Sequence, residues 1–419
     1  MWVLLAFIGG ALLVLLVANL TTSEKKIEQE IGHLYPVHDP QFARALGTLL
    51  GPAILPGNRV SALVNGDQIF PAMLEAIRGA QRTITFETFI YWSGEIGKAF
   101  AQALIERAQA GVKVHVLLDW VGTGKMDVSM LRDMEQAGAE VVKYHPLRWY
   151  NLGRLNNRTH RKLLVVDGTV GFTGGVGIAD NWLGNAEDPD HWRDSHFKLE
   201  GPGVAQMQAA FMDNWIEATS RVLHGDAYFP ELTTAGAQHG QIFKSSASEA
   251  SESVRLMYLL SIASAVRSVR IANAYFVPDD LAVATLVAAQ RRGARVEIIV
   301  PGRHIDKAIV RKASRSRWEP LLEAGVAIYE YQPTMYHTKV MVVDELLTSV
   351  GSTNFDNRSF RLNDEANLNV LDAEFAARLA GQFEEDKKRS RQLTLEWWRS
   401  RPWHQRALEW LAGLLRVQL

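Results

Sequence analysis

Two copies of one short pattern carry the side chains of this chain that are best suited to phosphate chemistry. The first copy lies in HRKLLVVD, the second lies in HTKVMVVD, and both read H-x-K-x4-D. In a strand, side chains two residues apart share a face, so the histidine and lysine of each copy project together. Imidazole can act as a nucleophile or carry a proton, a carboxylate can orient it, and an ammonium group can hold phosphate oxygens. The predicted catalytic residues are therefore His160, Lys162, Asp167, His337, Lys339 and Asp344.

One copy alone would make half a site, because it lacks a partner for the opposite face of the phosphorus. If the copies meet, His160 and His337 flank one phosphodiester, so that one attacks phosphorus in line while the other protonates the departing oxygen. Lys162 and Lys339 then stabilise the charge on the equatorial oxygens, a task that elsewhere falls to Mg²⁺, and we expect neither a metal nor a cofactor. We expect a phosphohistidine on His160, although the symmetric spacing does not distinguish the two histidines.

A glycine-initiated segment follows each copy and adds candidate substrate-binding groups. Gly174 and Gly175 follow the first copy, while Ser352 and Asn354 lie in GSTNFD after the second. Such segments offer a tight turn, a hydroxyl and an amide close to a bound phosphate. Asn354 has no amide counterpart in the first half, where residue 177 is Gly177, so we expect the two halves to be chemically unequal.

The elements that must position these residues alternate between helical and extended patterns, which is typical of an α/β fold. The pattern repeats: AMLEAIRGAQRTITFETFIYW from Ala72 resembles LLSIASAVRSVRIANAYFVP from Leu259, and QAGVKVHVLLD resembles RRGARVEIIVP. The matched segments lie about 180 residues apart, which predicts an internal duplication of one α/β unit. The predicted division of the chain is 1–21 as a membrane anchor, 22–59 as a connector, 60–222 as the first half, 223–252 as a linker, 253–385 as the second half, and 386–419 as an amphipathic C-terminal segment.

The two ends of the chain suggest contact with a membrane. Trp2–Leu20 is an uncharged apolar run close to the roughly 20 residues that cross a bilayer as a helix, with a cleaved signal peptide as the alternative. Lys25 and Lys26 follow this run, so we expect a single-pass anchor in the cytoplasmic membrane with the catalytic body on the cytoplasmic side. The C-terminal segment mixes tryptophan and arginine, which suits either a helix at the lipid headgroups or one packed on the body.

The overall composition excludes some classes of protein. The net charge is −1, whereas a protein that coats nucleic acid is usually strongly basic, so we do not expect a nucleic-acid partner. The chain has no cysteine, which excludes disulfides and thiolate metal sites. Apolar residues make up 47% of the chain, enough for two cores, but nothing in the composition predicts the oligomeric state.

The motifs resemble those of the phospholipase D superfamily and, within it, the bacterial cardiolipin synthases. The resemblance extends from about Val60 to Glu385, and the segments that carry it besides the two copies are FETFIYW, GGVGIADNW, WRDSHFKLEGPGV, IANAYFVP and GSTNFDNRSFRLNDEANL. It implies a duplicated α/β fold in which two mixed β-sheets, flanked by helices, pack about a pseudo-twofold axis with one shared active site. Glu87 and Glu365 join the candidate substrate-binding residues, Glu87 because it could orient a histidine and Glu365 because it matches a family motif.

The same resemblance implies a function and its partners. The expected reaction transfers a phosphatidyl group from one phosphatidylglycerol to another, which gives cardiolipin and glycerol at a membrane that contains these anionic phospholipids. The residues leave two alternatives open: a membrane phospholipase D or phosphodiesterase that uses water as the acceptor, and a noncatalytic lipid-binding protein. Two complete copies of the motif argue against the noncatalytic alternative.

Overall fold

The computed structural model describes residues 2–20, 27–146, 156–246 and 252–414. Several predicted features lie wholly or partly outside these residues, among them Lys25 and Lys26 and part of the predicted linker. The helices are α1 (Trp2–Leu20), α2 (Pro40–Leu50), α3 (Asn65–Gly79), α4 (Glu95–Gln109), α5 (Val128–Gln136), α6 (Gly203–Thr219), α7 (Ser253–Ala263), α8 (Asp280–Arg291), α9 (Ala308–Arg315), α10 (Glu319–Glu323), α11 (Asn357–Arg361), α12 (Ala373–Lys388), α13 (Leu395–Arg399) and α14 (Trp403–Leu414). The strands are β1 (Leu55–Val64), β2 (Thr83–Thr88), β3 (Lys113–Asp119), β4 (Glu140–Tyr144), β5 (Arg158–Thr159), β6 (Leu163–Val166), β7 (Val170–Gly174), β8 (Ser195–Glu200), β9 (Gln238–Ser245), β10 (Ser268–Asn273), β11 (Arg295–Pro301), β12 (Ala327–Tyr331), β13 (Lys339–Val343), β14 (Leu347–Gly351), β15 (Asn363–Leu371) and β16 (Ser390–Leu393).

Two groups of strands have the same order and the same directions. In the first group the order is β4-β3-β2-β6-β7-β8, and in the second it is β12-β11-β10-β13-β14-β15. The three strands nearest the outer end of each group pair in parallel, and the others pair antiparallel. Their sequences are short runs of β-branched and aliphatic residues, which suits strands that are covered on both faces.

The prediction of two separate sheets is corrected by the centre of the fold, where one hydrogen-bonded path joins all the named strands except β5, which lies off the path and pairs with β15. β1 pairs antiparallel with β8 on one side and, through two residue pairs, with β9 on the other, while β9 pairs along its length with β15. β9 lies in the stretch 223–252 that was predicted as a linker, and Gly240, Gln241, Ile242 and Phe243 within it are buried. The sequence of β9 is short, polar and contains a glycine, so it does not indicate a strand. Its conformation depends on pairing with strands that lie far away in the sequence.

Helices cover the faces of both groups and leave the motif strands in the interior. α3 and α4 pack on the first group and α7 and α8 pack on the second, each with its own apolar core. A third core lies between the groups, where Phe211 and Trp215 of α6 and Phe375 of α12 meet Val165 and Val342 of the motif strands. The two motif strands are thereby held against one shared apolar layer.

The predicted membrane-contact segments have exposed apolar faces. Trp2 and Phe7 of α1 are 80% and 75% exposed, and the side chains of residue 4 and of residues 15–20 are not described. Within the part of the chain that the structure describes, no helix combines the length and the apolar character that crossing a membrane requires. At the other end, α14 packs Ala412 on the body and exposes Trp403 and Trp410. One face of this helix therefore suits packing on the body, and the other suits contact with lipid headgroups.

Candidate active site

The histidine of each motif follows a short segment that pairs with the other half of the chain. β5 pairs in parallel with the start of β15, and the backbone N–H of His160 donates to the carbonyl oxygen of Asp364 at 2.9 Å. In the same manner, Tyr336 bridges to Arg193, and the N–H of His337 donates to the carbonyl oxygen of Arg193 at 2.8 Å. These crossed pairings bring both histidines to the junction between the two strand groups.

A buried carboxylate from the opposite half contacts each imidazole. Nδ1 of His160 lies 3.0 Å from both carboxylate oxygens of Glu365, and Nδ1 of His337 lies 2.8 Å from Oδ2 of Asp194. Both carboxylates are fully buried. Because each contact engages Nδ1, it fixes the orientation of the ring. Nε2 of His160 is left for chemistry, whereas Nε2 of His337 also lies 3.3 Å from Nζ of Lys339.

The aspartates of the two motifs do not contact the histidines, which corrects the expectation that they orient the rings. Asp167 accepts hydrogen bonds from the backbone N–H groups of residues 81–83, and Asp344 accepts them from residues 266–268, at distances between 2.7 and 2.9 Å. Each aspartate follows its motif strand, at the end remote from the histidine, with φ of 52°. Their role is to join the turn after the motif strand to the start of the neighbouring strand, which holds the strand register.

The two lysines lie beside their histidines in the interior. Nζ of Lys162 donates to the carbonyl oxygen of His160 at 2.8 Å, and Nζ of Lys339 donates to that of His337 at 2.7 Å. Burial lowers the pKa of Lys162 to about 7 and that of Lys339 to about 8. Buried ammonium groups without a full set of anionic partners are suited to bind the oxygens of an incoming phosphate.

Burial also sets the protonation of the two imidazoles. It lowers the pKa of His160 well below the usual range, and the charges of Lys162 and Lys339 act in the same direction. The pKa of His337 is lowered to about 4 by burial and by Lys339, whereas the Asp194 carboxylate opposes this shift. Both rings are therefore neutral at pH 7 in the free protein, and His337 has the stronger anionic support for a proton.

Three of the predicted substrate-binding residues act behind the carboxylates instead. A Cβ on Gly175 would lie 2.2 Å from Oδ1 of Asp194, and one on Gly174 would lie 2.6 Å from Nδ1 of His196, so these glycines make room for Asp194 and for the strand β8 that follows it. The hydroxyl of Ser352 donates to Oε2 of Glu365. These contacts fill the space nearest to Gly174, Gly175 and Ser352. We therefore assign the three residues to the support of the two carboxylates instead of to substrate binding.

The remaining two predicted contacts lie on different sides of His160. Glu87 accepts hydrogen bonds from the hydroxyl of Thr159 at 2.5 Å and the amide of Asn214 at 2.7 Å, and burial raises its pKa to about 7. It therefore secures the backbone immediately before His160 rather than the imidazole itself. Asn354 is buried at the wall of a cavity that also reaches His160.

Sequence reasoning did not assign Asp194 to the site. Besides His337, Oδ2 of Asp194 accepts a hydrogen bond from Nε1 of Trp182 at 2.9 Å, and the ring centroid of Trp182 lies 5.3 Å from that of His337. The feature that could have identified Asp194 is the register of the strands: Gly174 pairs with His196, and Gly351 pairs with Asn367. Asp194 and Glu365 each lie two residues before those partners, so they occupy corresponding places.

Two neighbouring cavities meet at His160. The main cavity, of about 430 Å³, is bordered by both histidines and by Lys162, and its other lining residues include Phe89, Trp92, Trp182, Trp192, Tyr275 and Lys307. The side cavity, of about 350 Å³, shares Phe89, Tyr275, Lys307 and His160 with it, and is otherwise lined mainly by polar residues. A phosphodiester bound in the main cavity would contact both imidazoles. Because His160 also lines the side cavity, the phosphodiester would lie next to that cavity as well.

Comparison with known proteins identifies the family of the chain. A family model described as "Cardiolipin synthase, PLD-like domain" matches twice, over residues 73–214 and 258–387. Cardiolipin synthase from Geobacillus sp. (strain WCH70) is 37% identical over 84% of this chain and 71% of that protein, and cardiolipin synthase from Halalkalibacterium halodurans is 34% identical over 90% and 76%. The crystal structure of phosphatidylserine synthase from Haemophilus influenzae is similar in fold, with a TM-score of 0.67 and 14% identity over 90% of this chain and 100% of that one. The chain therefore belongs to the cardiolipin synthases of the phospholipase D superfamily.

Proposed function

We propose that this protein joins two phosphatidylglycerol molecules into cardiolipin, with release of glycerol, through a phosphohistidine intermediate. One observation carries the proposal: two neutral, buried imidazoles from different halves of the chain border one cavity, and each is oriented by a carboxylate from the opposite half. A pair of histidines is what an in-line, two-step transfer at phosphorus requires. The names of the relatives support cardiolipin as the product.

In the first step, Nε2 of His160 attacks the phosphorus of phosphatidylglycerol. The bond between phosphorus and the glycerol oxygen breaks, and His337 gives its proton to that oxygen, so glycerol leaves as a neutral alcohol. Lys339 opposes protonation of both rings, but Lys162 adds to this opposition at His160. The Asp194 carboxylate supports a proton on His337, whereas burial raises the pKa of Glu365 beside His160 to about 7, so the pKa directions support this assignment. An anionic phosphate between the rings raises the pKa of both imidazoles, so His337 takes up a proton from solvent as the substrate binds.

In the second step, the terminal hydroxyl of another phosphatidylglycerol attacks the phosphohistidine. Its proton returns to His337, the bond between phosphorus and Nε2 of His160 breaks, and cardiolipin leaves with His160 restored. Lys162 and Lys339 stabilise the charge on the equatorial oxygens in both steps. The acceptor hydroxyl thus returns to His337 the proton that it gave to glycerol, and the two lysines offset the charge on the phosphate.

We infer that the two strand groups arose by duplication and are related by a pseudo-twofold axis that passes between the histidines. The identical strand order and the two separate matches to one family model support this inference. A duplicated unit also accounts for the crossed partners, since symmetry that places Glu365 beside His160 places its counterpart Asp194 beside His337.

We further propose that the protein works at the cytoplasmic membrane, where its anionic lipid substrates lie. The support is the apolar sequence of α1 and the exposed Trp403 and Trp410 of α14, since tryptophan favours the headgroup region of a bilayer. These segments would keep the main cavity close to the lipid surface.

Lipid analysis tests the proposed function. The purified protein is incubated with vesicles of phosphatidylglycerol, and the products are separated and identified by mass spectrometry. We expect cardiolipin and glycerol in equal amounts. Phosphatidic acid without cardiolipin would contradict the proposal and support a hydrolase that uses the same histidines.

A further inference from the structure

The transfer that we propose involves two phosphates, and the contacts described above account for only one of them. The reacting phosphate lies between His160 and His337, where Lys162 and Lys339 reach it. The acceptor phosphatidylglycerol carries a second phosphate, which does not react but is an anion that must be held near the site. A hydrolase has no such requirement, because water carries no phosphate.

The side cavity has the charge that a second phosphate needs. Among the described residues that line it, the cationic side chains are Arg158, Lys307 and Arg358 and the one carboxylate is Asp356, whose pKa is raised to about 6 by burial. Arg158 is almost fully buried and lies 3.8 Å from the Asp119 carboxylate. Among the described lining residues, cations therefore outnumber carboxylates by three to one, which favours an anionic ligand.

Arg358 is a buried cation held close to Arg158. Burial lowers the pKa of Arg358 and the charge of Arg158 acts in the same direction, while the carboxylates of Asp356, Asp119 and Glu365 oppose this shift. Arg358 is fixed by Asn156, whose side-chain and main-chain oxygens accept hydrogen bonds from Nη1 and Nη2 at 3.1 and 3.2 Å. A guanidinium that is held in place in this way binds phosphate oxygens with little loss of conformational freedom.

The position of the side cavity fits the reach of the acceptor. Only the three carbons of the glycerol separate the attacking oxygen from the oxygen on the second phosphorus, so the second phosphate must lie in a space that borders the reaction centre. The walls shared by the two cavities, Phe89 and Tyr275, lead from one to the other. In the wall of the side cavity, Oδ1 of Asn354 has no hydrogen-bond partner among the described residues, so it can accept a hydrogen bond from the middle hydroxyl of the glycerol.

We infer that the side cavity binds the non-reacting phosphate of the acceptor lipid, with Arg158, Lys307 and Arg358 as its cationic ligands. This inference rests on the proposed phosphatidyl transfer and names the acceptor site for it. In the acceptor step the P–N bond of the phosphohistidine breaks as the new P–O bond forms, and the proton of the acceptor hydroxyl goes to His337. The side cavity takes no part in these bond changes and acts only by holding the acceptor.

Competition between two acceptors tests the inference. The enzyme is given phosphatidylglycerol vesicles and a fixed concentration of ethanol in phosphate-free buffer, and the ratio of cardiolipin to phosphatidylethanol is measured. Both products come from the same phosphohistidine, so the ratio is independent of the donor step and of the amount of folded enzyme. We expect Arg358→Gln to lower this ratio about tenfold, which corresponds to the loss of one charged contact to phosphate.

Controls make every outcome informative. Arg303→Gln removes an exposed cation that lines neither cavity and should leave the ratio unchanged, and Arg358→Lys should retain part of it. Should Arg358→Gln give no product at all, Lys307→Gln at an exposed position is the deciding variant. Inorganic phosphate added to the wild-type enzyme should lower the ratio by competition, and much less so in Arg358→Gln.

Two results separate the failure of the inference from that of the proposed function. An unchanged ratio in both Arg358→Gln and Lys307→Gln, in the phosphate-free buffer, would overturn the acceptor site. Any effect of added phosphate would then reflect binding of free phosphate and not of the acceptor lipid. A wild-type enzyme that makes phosphatidylethanol and phosphatidic acid but no cardiolipin would instead overturn the proposed function before any variant is compared.

Discussion

Nδ1 of His160 lies 3.0 Å from both carboxylate oxygens of Glu365, a residue 205 positions later in the chain. The corresponding contact joins His337 to Asp194 over 143 positions in the opposite direction. Neither half of the chain therefore contains a complete histidine–carboxylate pair. The active site is assembled only when the two halves pack together, and it depends on the crossed strand pairings that precede each histidine.

Replacing either carboxylate by its amide should impair catalysis while preserving the fold. In Asp194→Asn and Glu365→Gln the shape is kept, but an amide cannot support the positive charge of its imidazole and can favour the wrong tautomer. We expect kcat to fall by about two orders of magnitude or more, by analogy with carboxylates that orient catalytic histidines. The measurement is cardiolipin formation per folded enzyme, with circular dichroism as the control. Activity within twofold of wild type in both variants would show that the carboxylates have no part in orienting the rings.

The motif aspartates should have the opposite phenotype. Asp344 is almost fully buried and accepts hydrogen bonds from three backbone N–H groups, so Asp344→Ala leaves those donors without their partner. We expect a loss of stability of about 1–3 kcal/mol or more, seen as a lower Tm, with kcat per folded molecule little changed below that Tm. A large fall in kcat without a change in Tm would contradict this structural role and show that Asp344 acts in catalysis.

Gly175 should be sensitive to a single methyl group. Its Cβ would lie 2.2 Å from Oδ1 of Asp194, so Gly175→Ala must displace this carboxylate from His337. We expect a loss of activity comparable to that of Asp194→Asn. Gly79→Ala is the matched control, because Gly79 lies in α3 and a Cβ there meets no atom within 4 Å. Equal activity in the two alanine variants would contradict this role for Gly175.

The buried lysines predict a dependence of activity on pH. Their pKa values of about 7 and about 8 in the free enzyme are lowered by burial, so both lysines lose their protons as the pH rises through this range. We expect kcat/KM, which reports the free enzyme, to fall between about pH 7 and 9. Bound phosphate raises the pKa of both lysines, so kcat should fall only at higher pH. Alkaline limbs of kcat and kcat/KM that coincide would contradict this assignment.

The same burial predicts a gain in stability when Lys339 is removed. The pKa of Lys339 is lower in the folded protein than in the unfolded chain, so the unfolded chain binds the proton more tightly and the charged lysine destabilises the fold at neutral pH. Lys339→Met should therefore raise the Tm at pH 7 and abolish activity. The gain should shrink as the pH approaches the unfolded value of about 10.4. A Tm at pH 7 below that of wild type would contradict the argument.

The sequence contains the local part of this site and conceals the part that depends on long-range packing. The prediction that each histidine and its lysine lie together is confirmed, although His160, Lys162 and His337 lie just before the motif strands and not within them. The spacing does not reveal that Asp167 and Asp344 accept hydrogen bonds from neighbouring backbone, because an aspartate seven residues after a histidine can serve either purpose. Asp194 and Glu365 reach their histidines from the opposite half of the chain, and that contact depends on strand register across the junction. The strand β9 was missed for the same reason, since its pairing with β15 decides its conformation.

The central claim is that cardiolipin forms through a covalent intermediate on one of two paired histidines. Rapid quenching of the enzyme during turnover on phosphatidylglycerol, followed by digestion under alkaline conditions and mass spectrometry, tests it most directly. We expect a phosphatidyl group on His160 whose level rises before cardiolipin accumulates and falls again as phosphatidylglycerol is exhausted. Cardiolipin formation with no adduct on either His160 or His337 would contradict the account, and an adduct on His337 alone would reverse the roles of the two histidines.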